Sequence, residues 1–121
     1  MSQGGPVSPV DGGNAAMIAF QATLAALRQE YEAGLAQRVG LAHGHLRACQ
    51  AAPGDALPLL ELHRGMHTMA GTAGTLGLAQ VGERARGIEA ELQRLLLIEG
   101  RSVQDFDAVA LMLESLGLPL D

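Results

Sequence analysis

Two helical apolar patterns meet at Gly77 with almost no linker between them, and that junction limits what this 121-residue chain can fold into. Before it, Leu59, Leu62, Met66, Met69, Ala73 and Leu76 recur at three and four residues, one seam at about 100° per residue. After it, Leu78, Val81, Ala85, Ile88, Leu92 and Leu95 repeat the same spacing. So short a connection folds the two predicted helices, about 56–75 and 78–98, into an antiparallel hairpin. Ala52-Pro53-Gly54-Asp55 reads as a turn ending in an N-cap, and Gly77 as the stop.

The flanking segments extend the pattern. Met17, Phe20, Leu24, Leu27, Tyr31, Leu35, Val39, Ala42 and Leu46 predict one long helix from an Asn14 cap to about Ala51. Ser102, with Asp105 three residues on, predicts a capping box opening a last helix whose seam is Phe106, Val109, Leu113 and Leu116. Residues 1–13 are rich in Gly, Pro and Ser without periodicity and read as a mobile tail ahead of a folded unit over 14–121. The expected architecture is all-α, an antiparallel four-helix bundle with a flexible N-terminal tail. An aromatic share of 2% suits closely packed Ala- and Leu-rich helices better than a sheet.

Charge and cysteine content narrow the function. A net charge of -5 with no clustered basic stripe argues against nucleic acid as a partner. No apolar run approaches the roughly 20 residues that span a bilayer, and no basic-then-apolar leader is visible, so the expectation is a cytoplasmic protein away from membranes. Cys49 is alone, which excludes an internal disulfide and suits a small apolar residue on a helix face.

The chemistry concentrates in Leu62 to Gly77, LHRGMHTMAGTAGTLG. His67 lies about 130° from the middle of its helix's seam and is expected to face outward. His63, Arg64, Ala70, Gly71 and Gly74 are expected on the same surface, leaving the imidazole above a floor nearly free of side chains. Each helical glycine costs about 1 kcal/mol relative to alanine, so the clearing calls for a reason. An exposed imidazole beside such a clearing suits a nucleophile that a bulky partner must reach. A nucleophilic ring also needs an acceptor on its other nitrogen, to fix tautomer and orientation. Glu89, one residue past the seam position Ile88, lies about as far beyond Gly77 as His67 lies before it, and is expected to face His67 across the groove.

His67-Thr68-Met69-Ala70-Gly71, continuing Thr72-Ala73-Gly74-Thr75-Leu76-Gly77, resembles the motif of histidine-containing phosphotransfer (HPt) domains. There a histidine is followed after two residues by Lys and Gly and then small residues leading to a turn. The resemblance runs from about Phe20 to Leu116 and includes Leu24, Leu27, Tyr31, Leu35 and Arg38 on the preceding helix. It implies a phosphorelay intermediate that takes a phosphoryl group on His67 from a receiver-domain aspartate and passes it to another receiver. Gly71 then gives clearance for the phosphoryl group and Glu89 orients the imidazole. Response-regulator receivers, and a hybrid sensor kinase, are the implied partners. They would dock over Leu60, Arg64, Ala70, Gly71, Gly74 and Thr75. No cofactor is expected on this chain, magnesium belonging to the receiver, and no independent catalytic machinery. Where the family has its lysine this chain has Ala70, and Arg64, one turn before His67, is the candidate replacement contact.

Two other readings compete. A degenerate domain could bind receivers or a kinase without being phosphorylated, with Ala70 as the motive. Alternatively His63 and His67, four residues apart, could share a metal ion. Against the metal stand Arg64 in place of a metalloprotease glutamate and the lack of a third ligand nearby in sequence.

Overall fold

The computed structural model describes residues 9–118, and in them the chain is helical with no strand. Five α-helices follow in order: α1 (Pro9–Ala33), α2 (Leu35–Ala51), α3 (Ala56–Leu76), α4 (Ala79–Leu96) and α5 (Asp107–Leu116). A short 3-10 helix, Val103–Phe106, leads into α5. The count is five rather than four because the predicted first helix is interrupted at Gly34, with φ -90° and ψ -2°. Its N–H is shared between Glu30 O at 3.2 Å and Tyr31 O at 3.1 Å, and Arg38 N–H returns to Gly34 O at 3.2 Å. The hydrogen bonds run on through the break, so the chain does not reverse there. The N-terminal boundary also differs, since α1 already includes residues 9–13 of the predicted tail. Residues 1–8 lie outside the described residues. No described helix is long and apolar enough to cross a membrane.

The α3–α4 hairpin closes as its sequence predicts. Gly77 takes the left-handed conformation, φ 76°, and Leu78 N–H donates to Ala73 O at 2.8 Å. This six-to-one bond satisfies a carbonyl at the end of α3 while turning the chain back. At the other end Asp55 accepts from Leu57 N–H at 3.0 Å. Arg101, just past α4, donates to Pro53 O at 2.9 Å and to Ile98 O at 3.2 Å. One guanidinium thus joins the turn before α3 to the segment after α4, as an antiparallel pair requires. The predicted capping box is present, Ser102 N–H donating to Asp105 Oδ2 at 2.8 Å.

The core lies where the seams of α2, α3, α4 and α5 converge. Leu59, Leu62, Val81, Ala85, Ile88, Leu92, Leu95, Phe106, Val109 and Leu113 are fully buried, joined by Met66, Leu116 and Cys49. Burial pushes the Cys49 thiol up to about 11, so its thiolate is scarce near neutral pH. α1 is different. Tyr31 is buried and Leu24 packs partly against the core, but Met17, Phe20 and Leu27, expected on a buried seam, are 54%, 62% and 49% exposed.

Candidate functional site

His67 stands in the middle of α3 with its side chain 73% exposed, on the outer surface as expected. Glu89, in the middle of α4, reaches it across the hairpin. His67 Nδ1 and Glu89 Oε2 are 2.6 Å apart. The register set at Gly77 makes this pair, because both helices leave the turn in fixed phase. A carboxylate can only accept, so Nδ1 carries the proton in the neutral ring and Nε2 keeps its lone pair. Glu89 is itself only 14% exposed in its side chain, so most of its shell is protein.

His63 belongs to the same cluster in a way sequence reasoning missed. Its ring stacks on that of His67, with centroids 6.5 Å apart and planes within 10°. Its Nε2 is a buried atom without a hydrogen bond, 3.7 Å from the same Glu89 oxygen. Two imidazoles one turn apart therefore face one carboxylate. The i, i+4 spacing of the histidines was the available signal, and Glu89 was the piece that joined them. Among the described residues, no three His, Cys, Asp or Glu side chains are grouped to hold a metal ion.

The clearing is real on one flank only. Gly71 is exposed, and a Cβ built on it would meet nothing within 4 Å. A shallow open groove beside it is lined by His67, Thr68, Gly71, Thr72, Thr75 and Leu76. Thr75 is exposed, but its hydroxyl donates back to Gly71 O at 3.0 Å. Leu60 and Gly74 are exposed as expected. Ala70 is the correction. Placed on the outer surface with His67, it is only 4% exposed, because it lies on the flank that α4 covers. Gly82 of α4 is the covering residue, and a Cβ on it would sit 3.7 Å from Ala70 O.

Arg64 is exposed and engaged by Glu61 Oε1 at 3.1 Å. It lines a second groove, of about 290 Å³, with Tyr31, Arg38, Leu41, His45 and Thr68 among its walls. Arg38 caps the Tyr31 ring at 4.6 Å from its centroid. Arg86 extends from α4 to Gly74, whose missing side chain leaves Nη2 3.6 Å from a Cβ position. Comparison of the chain with protein-family models, curated proteins and solved structures finds no match in any of the three.

Proposed function

We propose that the chain is a phosphoryl carrier of the HPt kind, in which α2 to α5 act as the four-helix unit and His67 accepts and returns the phosphoryl group. The observation that carries this reading is the 2.6 Å contact between Glu89 and His67 Nδ1 beside an open flank at Gly71. In the forward step Nε2 attacks phosphorus of a receiver's aspartyl phosphate. An N–P bond forms as the P–O bond breaks, and the electron pair leaves with the aspartate carboxylate. The ring becomes cationic on losing its free lone pair, and Glu89, already on Nδ1–H, stabilises that charge in place. The reverse step returns phosphorus to another receiver's carboxylate. Receiver domains would bring the magnesium.

A cation at position 70 is not available to this site, since Ala70 lies under α4. Arg64, one turn before His67 on α3, and Arg86, which reaches Gly74, are the guanidinium groups we assign to meet a phosphoryl group on Nε2. The same missing lysine favours the second reading, a module that binds receivers or a kinase without taking phosphate.

The test is acid-labile phosphate on the protein after incubation with a phosphorylated receiver domain. The carrier reading expects label on the natural chain, none on His67→Gln, and slower labelling of Glu89→Gln. Unlabelled protein that still binds the receiver would establish the binding module instead. Equal label on the natural chain and His67→Gln would remove His67 from the chemistry.

A further inference from the structure

Residues 13–20 of α1 are exposed throughout, and their chemistry is unusual for a helix in water. From Asn14 to Leu27 the chain carries no charged residue. Met17, Ile18 and Phe20 are 54%, 66% and 62% exposed, and Leu27 49%. An uncharged helix with neither a polar face nor tertiary packing is marginal in water. Something of matching character is needed to cover it.

The spacing says what. Met17, Phe20, Leu24, Leu27 and Tyr31 alternate at three and four residues, an average period of 3.5 that keeps one stripe facing a partner helix along its whole length. The stripe is continuous with the core, because Tyr31 and Leu24 are its packed end and Phe20 and Met17 its bare end. Ala16, Gln21 and Thr23 flank it, small or neutral side chains that let a second helix approach closely. Neutrality also selects the occupant. An acidic or basic partner would bury its charge unpaired against this stripe, and an anionic membrane surface would find no basic residue between Asn14 and Leu27 to hold it.

We propose that α1 pairs with α1 of a second copy of this chain, stripe against stripe through Met17, Phe20, Leu24 and Leu27. A two-fold pair needs a self-complementary patch, and a neutral heptad stripe is one. The exposed stripe offers on the order of 400 Å² per chain, taking about 150–200 Å² for each large side chain. That is about half of the roughly 800 Å² per partner in a stable interface, so the dimer is weak and forms with rising concentration. None of the stripe residues lines the groove beside His67.

Sedimentation equilibrium of the full chain across the micromolar to low-millimolar range tests this. The expected mass rises from one chain towards two. Phe20→Glu should weaken association at least tenfold, while Ile18→Glu, about 160° away around the helix, should leave it within a factor of two or so. Both positions lie outside the core, so circular dichroism and the denaturation midpoint should stay unchanged in each variant. A single-chain mass at the highest concentration overturns the proposal. So do equal losses in the two variants, or binding to neutral phosphatidylcholine vesicles by a chain that does not self-associate.

Discussion

Helices α1 and α3 carry the same three-and-four apolar spacing, yet one seam is sealed and the other is largely bare. Leu59, Leu62, Met66 and Ala73 of α3 are buried to 1% exposure or less, whereas Phe20 of α1 is 62% exposed. The difference comes from two glycines. Gly77 adopts a left-handed conformation and sends the chain back along α3, so α4 arrives in register to cover the seam. Gly34 stays in the right-handed region, its hydrogen bonds continue, and α1 is carried onward rather than folded back. Periodicity names the face that wants a partner. Turn conformation decides whether the chain supplies one.

The two seams differ most in what a truncation costs. Leu62→Ala or Ile88→Ala removes a fully buried side chain and should cost about 2–5 kcal/mol in chemical denaturation, while Met17→Ala should change the same measurement by less than about 0.5 kcal/mol. Similar losses at Met17 and Leu62 would show that α1 is part of the same cooperative core. Next in size is the reversal itself. Gly77→Ala forces a side chain into φ 76° and should cost about 1–2 kcal/mol, whereas Gly34→Ala, at φ -90° with its nearest neighbours 3.8 Å away, should be neutral or stabilising. The smallest effect separates stability from function. Gly71→Ala meets nothing within 4 Å and should stabilise α3 by up to about 1 kcal/mol, yet lower phosphate incorporation on His67 by crowding its open flank. A gain in stability with undiminished labelling would leave the clearing at Gly71 without a chemical purpose.

Much of this was legible in the sequence because it depended on counting. The α3 and α4 seams, the Asp55 and Ser102 caps, the Gly77 stop and the meeting of His67 with Glu89 all follow from residue spacing on either side of a short turn. What was not legible depended on proximity between backbones. Ala70 and Gly71 are adjacent in sequence and both small, but α4 covers the first and leaves the second open. Nothing in the motif itself distinguishes them. The signal was Gly82, a small residue of α4 packed against Ala70, which is left 4% exposed. The interruption at Gly34 was hidden for the opposite reason, because Gly34, Gly40 and Gly44 all lie in one helical stretch and only the first ends a helix.

The closure at Gly77 has a consequence for which changes the gene can absorb. His67 lies ten residues before that glycine and Glu89 twelve after it, in helices held at a common phase. One codon inserted or deleted in either interval would turn the downstream carboxylate or the upstream imidazole by about 100° and slide it about 1.5 Å along its axis. Substitutions at most exposed positions between them leave the pair intact. The hairpin therefore tolerates spelling changes far better than changes of length, while a change of length at 97–102, beyond Glu89, would disturb the Arg101 contacts to the turn before α3 without altering the residue count between His67 and Glu89.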